Sequence, residues 1–365
     1  MATFLVRALK IEEAPSAGFA DTGGDTHEAA IDALAAAGIT SGCSTDPLKY
    51  CPDRPVARAQ MATFLQRAIR TSDRAILAVL HNTTGGNDWT SRKNWLTGGQ
   101  LEAWGGVTTD DDDRVTKLEL KGNGLAGPFP PVLAELSELK TLDLSENGLT
   151  GSIPPELGSL QQLRTLHLGE NLLEGTIPSE LTGLTLLEQL FLGGNALSGA
   201  IPAEFGRFEK LGDLSLRDNV LTGVIPAELG NVTALSWMSL AGNRLEGRIP
   251  PELGDLENLR VLILSGNRLT GSIPPELGRL SELVNLWLRD NRLTGEIPPQ
   301  LGNLTLLRLL DVANNKLEGR IPASLGDIDD LNYVRFHGGN QFEGCIPQGL
   351  MDTSNDFNLM GLPFC

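Results

Sequence analysis

The stretch Leu139-Lys-Thr-Leu142-Asp-Leu144-Ser-Glu-Asn147-Gly-Leu149-Thr-Gly151-Ser-Ile153-Pro154-Pro-Glu-Leu157-Gly158-Ser-Leu160 returns every 24 residues along most of this 365-residue chain. Its asparagine marks the period, and the tenth copy comes one residue late. The ten positions are Asn123, Asn147, Asn171, Asn195, Asn219, Asn243, Asn267, Asn291, Asn315 and Asn340. A fixed period of this length is typical of a solenoid, in which every unit buries its apolar side against its neighbours.

Each unit predicts a short strand, a turn and a helical turn. Leu142 and Leu144 alternate with polar residues, which is the period of a strand with one buried face. The amide of Asn147 follows where the strand must bend, so it is expected to satisfy backbone groups that the turn leaves unpaired. The ten asparagines are therefore predicted to form a structural ladder. Pro154 and Pro155 favour a helical turn that directs later leucines back to the core.

The signature Leu149-Thr-Gly151-Ser-Ile153-Pro154 resembles the plant-specific class of leucine-rich repeats. That class occurs in receptor kinases, polygalacturonase inhibitors and many bacterial surface proteins. The resemblance implies an α/β solenoid shaped as a horseshoe or superhelix, with a parallel sheet on its concave side. Ten repeats are expected over residues 115–340, and a C-terminal cap over 341–365.

The composition limits the kind of partner the protein can bind and the compartment in which it is found. A formal charge of -17 and a pI near 4.7 argue against nucleic acid, because phosphate binding needs a concentrated basic face. No uncharged run is long enough to predict a transmembrane segment. The cysteines form two local pairs, Cys43 with Cys51 and Cys345 with Cys365, which indicate disulfides and an oxidising compartment. A zinc site is the alternative, but its ligand spacing is missing.

A second, longer repeat precedes the solenoid. Residues 1–9 return at 61–69 with seven of nine residues identical, so 1–17 are expected to be part of one unit and 18–70 a complete one. Since position 1 aligns with the interior of the unit, further sequence is expected upstream. Phe19-Ala-Asp21, Tyr50-Cys51-Pro52 and Arg58-Ala-Gln60-Met-Ala-Thr-Phe64 resemble a surface-layer homology repeat. The resemblance implies a small helical module of a bacterial surface protein that contacts cell-wall polymer through Arg58 and Gln60.

Residues 71–114 are predicted to cap the solenoid. A short amphipathic helix is expected to start at Ser72 or Asp73. Trp89, Trp95 and Trp104 follow, and they serve either as cap core or as a platform for sugars. Trp104-Gly-Gly-Val107-Thr-Thr109 is similar to the N-terminal caps of plant-type leucine-rich repeats, with threonine in place of their usual cysteine. The acidic run 110–113 is read either as a calcium loop or as a solvated turn.

The outward positions of the predicted sheet carry the candidate binding residues. Apolar and aromatic side chains gather on successive turns and are bracketed by two arginines, which is the composition of a binding hot spot. The residues assigned to ligand binding are Phe191, Arg217, Trp237, Val261, Ile263, Trp287, Arg289 and Tyr333. The alternative is that they only fill the curve of the solenoid.

These observations favour a secreted binding protein at the cell surface or in the wall, recognising a peptide, a protein or a glycan. Two alternatives stay open: a surface-layer spacer without a ligand, and an inhibitor of wall-degrading enzymes. Catalysis is not predicted, because the four histidines are scattered and belong to no catalytic motif. Glu119 and Asp143 would lie about 5 Å apart on neighbouring strands, yet an open face encloses no cleft. No cofactor and no metal are expected.

Overall fold

The computed structural model describes residues 44–45, 48–49, 72–351, 354–355 and 361–365. The proposed surface-layer modules 1–17 and 18–70, with Arg58, Gln60 and the Cys43–Cys51 pair, lie outside the described residues. The exception is an antiparallel pair of two-residue strands, Ser44–Thr45 and Leu48–Lys49. The expected helical module is therefore not confirmed.

A twelve-stranded sheet runs along the whole solenoid. Its first two strands are antiparallel and the remaining neighbours are parallel, with the core leucines of successive turns directly paired, as Leu142 is with Leu166. This is the predicted solenoid with a parallel sheet. The strands are Val107–Thr109, Val115–Glu119, Thr141–Asp143, Thr165–His167, Gln189–Phe191, Asp213–Ser215, Trp237–Ser239, Val261–Ile263, Asn285–Trp287, Leu309–Asp311, Tyr333–Arg335 and Ser354–Asn355.

Two smaller parallel sheets form the next side of the solenoid, and a series of 3-10 helices forms the side after that. The first small sheet contains Ala126–Pro128, Gly148–Gly151, Leu172–Thr176 and Ala196–Ser198. The second contains Thr294–Gly295, Lys316–Arg320 and Gln341–Glu343. The 3-10 helices are Pro131–Glu135, Pro155–Ser159, Ser179–Gly183, Ala203–Arg207, Ala227–Asn231, Pro251–Asp255, Pro275–Arg279, Pro299–Asn303, Ala323–Asp327 and Gln348–Leu350.

The apolar residues of each turn fill the space between these three sides. In the turn that contains Asn147, the side chains of Leu142, Leu144, Ile153 and Leu157 are each no more than 1% exposed. One turn could not bury them alone, because its two flat sides would remain open to water. Burying each such side chain contributes about 1.5–3 kcal/mol, so stacking is what stabilises the fold.

The asparagines form a continuous hydrogen-bonded ladder inside the stack. The Nδ2 group of Asn243 donates to the carbonyl oxygens of Leu216 and Leu240, at 2.9 and 3.1 Å, and its Oδ1 accepts from the backbone N–H of Leu221 at 3.0 Å. Each amide thus satisfies backbone groups of its own turn and of the preceding one. The late tenth residue, Asn340, makes the same kind of bonds.

The N-terminal end of the stack is closed by the helix Asp73–Thr83, the 3-10 helix Leu101–Ala103 and the three tryptophans. Trp89, Trp95 and Trp104 are 4%, 7% and 1% exposed, which excludes a sugar platform of exposed rings. Their rings pack edge to face and tilted, with centroids 4.8 and 5.0 Å apart. In the part of the chain that the structure describes, no helix has the length and apolar character needed to cross a bilayer.

The acidic run 110–113 forms an exposed turn. The Oδ1 atom of Asp110 accepts from the backbone N–H groups of Asp112 and Arg114, at 3.0 and 2.9 Å. The side chain of Asp110 therefore stabilises the turn itself, as in a solvated loop.

A disulfide between Cys345 and Cys365 closes the C-terminal end, with the two Cα atoms 5.2 Å apart. The last residues run parallel to the final turn: the N–H of Ile346 donates to the carbonyl of Pro363, and that of Cys365 donates to the carbonyl of Ile346. A loop of this length stabilises a fold by about 3 kcal/mol in the chain-entropy model. The bond holds the terminal segment over an apolar edge that would otherwise face water.

Candidate functional site

The outward side chains of the twelve-stranded sheet form what we call the open face. Because the strands are parallel and in register, residues 24 apart lie side by side, about 4.8 Å from one another. Trp237 therefore neighbours Val261, and Ile263 neighbours Trp287. All four side chains are half-buried, while the residues between them on the same strands face the core. The two tryptophans thus lie on one side of the sheet.

Three aromatic rings form a cluster on the open face. The imidazole of His167 stacks on the ring of Phe191, with centroids 4.4 Å apart and an interplanar angle of 3°. Phe191 also contacts Trp237 across the intervening strand, at a centroid distance of 5.8 Å. These contacts hold the three rings in place, which reduces the conformational entropy that a bound partner would have to remove.

Next to this cluster lies a groove of about 340 Å³ whose floor is made by glycines. In the column aligned with Ser145, two successive turns carry Gly169 and Gly193 where other turns carry larger side chains. A Cβ atom on Gly193 would lie 2.7 Å from Cγ of Arg217, so the glycine is what lets that arginine cross the sheet. The groove is lined by Lys121, Asp143, Ser145, Glu146, His167, Gly169, Glu170, Phe191, Gly193, Ser215, Arg217 and Trp237.

A second groove of about 310 Å³ lies on the other side of Trp237. It is lined by Ser236, Trp237, Arg260, Val261, Val284 and Asn285. The indole of Trp237 is therefore a wall shared by two neighbouring grooves. Among the described residues, no ring contact joins Trp237 to Trp287, so Trp287 borders the surface without belonging to the aromatic cluster.

The two arginines expected to bracket the surface are already paired with carboxylates. Arg217 reaches Oε1 of Glu170 at 2.6 Å and also contacts Asp218. Arg289 contacts Oδ2 of Asp290 at 2.8 Å. A ligand carboxylate would thus compete with protein carboxylates at both positions. These pairs are between 38% and 55% exposed, so water screens them and exchange with a ligand costs little.

The carboxylate of Asp143, at the N-terminal end of the larger groove, is held in its charged form. Burial alone would raise the pKa of Asp143, but hydrogen bonds from His167 and from Ser145 outweigh burial and lower it. The hydroxyl and backbone N–H of Ser145 donate to Oδ1 of Asp143 at 2.6 and 3.0 Å. Glu146 and Glu170 also line this end, where they pair with Lys121 and Arg217 at 3.0 and 2.6 Å. Three carboxylates thus outnumber two cations, and the groove combines an apolar wall with a rim that is acidic on balance.

Asp311 is a buried acid on the same sheet. Asp311 is 0% exposed, and burial raises the pKa of its carboxyl above the usual 3.8. Its Oδ1 accepts from the N–H of Ala313 at 3.1 Å, while Oδ2 has no hydrogen-bond partner among the described residues and lies 4.0 Å from Nη1 of Arg335. The guanidinium of Arg335 in turn lies over the ring of Tyr333 at 5.3 Å. Tyr333 is thereby set in a different environment from the aromatic cluster.

The structure brings Phe191, Arg217 and Trp237 together in one groove system, with Val261 beside it. Ile263, Trp287 and Arg289 lie farther along the open face, and Tyr333 lies near its C-terminal end. Sequence reasoning missed His167, Gly169 and Gly193. Their signal was the pair of glycines at successive turns of one outward column, since missing side chains on a sheet surface produce a groove.

A sequence model described as Leucine rich repeat matches residues 137–197, and a second one matches 234–256, 258–280, 282–304 and 306–328. The chain carries leucine-rich repeats. A search of curated proteins found no match.

Several solved structures of plant leucine-rich repeat receptors are similar to this chain. The ectodomain of the membrane receptor kinase GASSHO1/SCHENGEN3 from Arabidopsis thaliana, in complex with CASPARIAN STRIP INTEGRITY FACTOR 2, is 37% identical with a TM-score of 0.72. The match covers 76% of this chain and 34% of that one. The Arabidopsis receptor kinase HAESA, in complex with the peptide hormone IDA and the co-receptor SERK1, is 36% identical with a TM-score of 0.70, covering 78% and 48%.

A plant ice-binding protein is also similar, at 27% identity and a TM-score of 0.67, with 80% of this chain and 97% of that chain covered. The leucine-rich repeat chain described here therefore spans 34% and 48% of the two receptor chains but nearly all of the ice-binding protein.

Proposed function

We propose that the leucine-rich repeats bind a peptide or an extended segment of a protein on the open face, at the grooves that flank Trp237. The observation that carries the proposal is the position of that indole, half-buried against Phe191 and bordered by two grooves. Aromatic side chains that are rigid and partly desolvated are the usual centres of binding energy at interfaces.

The chemistry of the grooves favours a partner that presents both apolar and basic groups on one side. Phe191, Trp237 and Val261 offer apolar contact, while Asp143, Glu146 and Glu170 form the acidic rim. An extended peptide presents side chains to alternate sides, so it can place one residue in each groove and a basic residue on the rim. The receptor structures in complex with a peptide hormone support a peptide over a glycan. They also support an extracellular location.

Selection from a display library of random peptides tests this proposal. The immobilised protein is expected to enrich peptides that carry an aromatic or aliphatic residue two positions away from a basic one, because such residues share one side of an extended peptide. Replacing Trp237 by alanine should weaken binding of the selected peptides by about 10- to 30-fold, equivalent to roughly 1.4–2 kcal/mol. Titration calorimetry with synthetic peptides measures the change.

The matched control is Leu172→Ala, because Leu172 is an apolar residue that is 62% exposed on a different side of the solenoid. Its affinity for the peptides should stay at the wild-type value. Equal affinities of the Trp237→Ala variant and the wild type would reject the site, and enrichment of no peptide would favour a glycan or a spacer role.

We also propose, from the sequence resemblance alone, that residues 18–70 attach the protein to a bacterial cell wall through Arg58 and Gln60. The test is sedimentation of the full chain with purified cell walls. The double variant Arg58→Ala/Gln60→Ala should remain in the supernatant, because the cation and the amide that contact the polymer are lost. Arg164→Ala, a substitution within the repeats, serves as the control and should sediment like the wild type. Equal sedimentation of all three proteins would contradict wall docking.

A further inference from the structure

Two rows of opposite charge run along the solenoid outside the open face. The first, which we call the basic row, directly follows the ladder asparagine in four consecutive repeats and consists of Arg244, Arg268, Arg292 and Lys316. The second, which we call the acidic row, is the second residue of the 3-10 helix in six consecutive repeats. It consists of Glu156, Glu180, Glu204, Glu228, Glu252 and Glu276.

Each row carries one charge per turn of the solenoid. In the basic row, the backbone N–H group of every residue donates to the carbonyl oxygen of a leucine in the preceding turn at 2.8 Å. The helices of the acidic row pack as closely, since a Cβ atom on Gly230 would lie 2.3 Å from the carbonyl oxygen of Glu252. All members of a row therefore lie on the same side of the stack, and both rows follow the turn-to-turn spacing of one solenoid, about 4.8 Å at its strands.

Neither row has a counter-charge within the described part of the chain. Nine of the ten residues are exposed, and Glu276 is half-buried. Among residues 72–351 and 361–365, none of the ten forms an ion pair. This differs from Arg217 and Arg289 on the open face, which are paired with carboxylates. Like charges one turn apart repel each other, so each row favours a partner of the opposite charge.

The surroundings of each row carry the charge of that row on balance. Beside the basic row, six cations outnumber three acids over residues 244–248, 268–272, 292–296 and 316–320. In four helices of the acidic row, five acids outnumber two arginines, of which Arg279 is already paired with Asp255 at 3.3 Å. These helices are Ala203–Arg207, Ala227–Asn231, Pro251–Asp255 and Pro275–Arg279. Two extended surfaces of opposite charge thus lie on different sides of one molecule.

A second copy of this chain fits both rows. When two copies lie side by side with parallel axes and a shift of two turns, Arg244 comes opposite Glu204, and Lys316 comes opposite Glu276. The rows stay in register over four turns, because both copies have the same turn-to-turn spacing. An unrelated anion on the basic row would leave the acidic row without a counter-charge, whereas contacts repeated from copy to copy neutralise both rows.

We propose that the basic row of one copy binds the acidic row of a second copy, so that this chain associates with itself side by side. The contact is heterologous, since two different surfaces meet, and every copy keeps one row for a further neighbour. Association is therefore expected to continue beyond a dimer. Neither row belongs to the open face, so self-association goes beyond the peptide site and does not depend on it.

Static light scattering on the full chain tests self-association. At about 0.1 M salt the Debye length is about 10 Å, which screens the repulsion between two chains of formal charge -17 more than it screens ion pairs in contact. Because exposed ion pairs are individually weak, the wild type should associate only at high concentration. Its average mass should rise at least about 1.5-fold between about 10 µM and about 1 mM, and about 1 M salt should abolish the rise.

Charge reversal in each row identifies the surfaces that meet. The two variants are Arg244→Glu/Arg268→Glu/Arg292→Glu and Glu204→Lys/Glu228→Lys/Glu252→Lys. Each should remain monomeric alone, because like charges then face each other. An equimolar mixture of the two should associate, since the intact acidic row of the first variant meets the intact basic row of the second. Both variants keep a net negative charge, because each reversed residue shifts the wild-type value of -17 by only two units. Attraction between proteins of opposite net charge therefore does not explain the recovery.

The control variant Lys117→Glu/Lys140→Glu/Arg164→Glu shifts the charge by as much as the first variant, but outside both rows, and its average mass should follow that of the wild type. Circular dichroism checks that all variants are folded. The proposal is overturned if the wild type stays monomeric at every concentration, if either row variant alone associates like the wild type, or if the mixture does not associate. Equal losses in the control and in the row variants would also contradict it, since net charge would then govern association.

Discussion

Replacing Asn243 by alanine is expected to lower the free energy of unfolding by about 3–5 kcal/mol, because a single amide satisfies several buried backbone groups at once. The asparagine is 7% exposed. Without it, the N–H of Leu221 loses its partner inside the stack, while the carbonyl oxygens of Leu216 and Leu240 lose one of two bonds and keep those from Asn219 and Asn267. A buried N–H left unpaired costs about 1–3 kcal/mol, and each further hydrogen bond lost costs about 1 kcal/mol. Urea-induced unfolding followed by circular dichroism measures the change.

Asn258→Ala is the matched control for this measurement. Its side chain donates one hydrogen bond, to the carbonyl of Thr233 at 2.9 Å, at an exposed position. Water can replace the lost partner there, so the expected change is below about 1 kcal/mol. Hydrogen exchange should also speed up at Leu221 in the Asn243→Ala variant. If both variants unfold at the same urea concentration, the ladder is not a main source of stability.

The second large effect is expected from Gly254→Ala, which should destabilise the protein by about 3 kcal/mol through crowding between turns. A Cβ atom at this position would lie 2.4 Å from the carbonyl oxygen of Glu276 and 2.7 Å from its carbonyl carbon, both backbone atoms of the next turn. Backbone cannot rotate away as a side chain can, so the two turns must move apart. The leucines between them would then lose contact.

Gly98→Ala is the control for this substitution, since a Cβ atom there would meet no atom within 4 Å. We expect no loss of stability for Gly98→Ala in the same urea titration. A Gly254→Ala variant as stable as the wild type would mean that neighbouring turns separate without cost, which would contradict close packing of the solenoid.

The local structure of the repeats follows from the sequence because every unit carries the same local sequence signals. Alternating leucines predict the strand, Asn147 predicts the ladder, and the proline pair predicts a helical turn, which the structure forms as the 3-10 helix Pro155–Ser159. The one-residue delay of the tenth asparagine also has a local cause. Gly338 and Gly339 both have a φ of +77°, so the backbone accommodates one extra residue before Asn340.

The candidate site was only partly predictable. The outward columns placed Phe191 and Trp237 on the same face, since register alone decides the face. They did not reveal that the ring of His167 stacks on Phe191 or that Gly193 opens a path for Arg217. They also did not reveal that Arg217 reaches Glu170, because that contact joins side chains two turns apart. The pairing of Arg289 with its neighbour Asp290 depends on the rotamers that the two side chains adopt on the folded surface.

The sequence by itself determined the repeat, the buried and exposed positions, and the order of residues along each outward column, because these depend only on period and on local backbone preference. Tertiary structure alone decided which outward side chains are neutralised, which are stacked and where a groove opens. Those outcomes depend on packing between turns that are about 4.8 Å apart in space but 24 residues apart in the chain. The grooves beside Trp237 arise at that level.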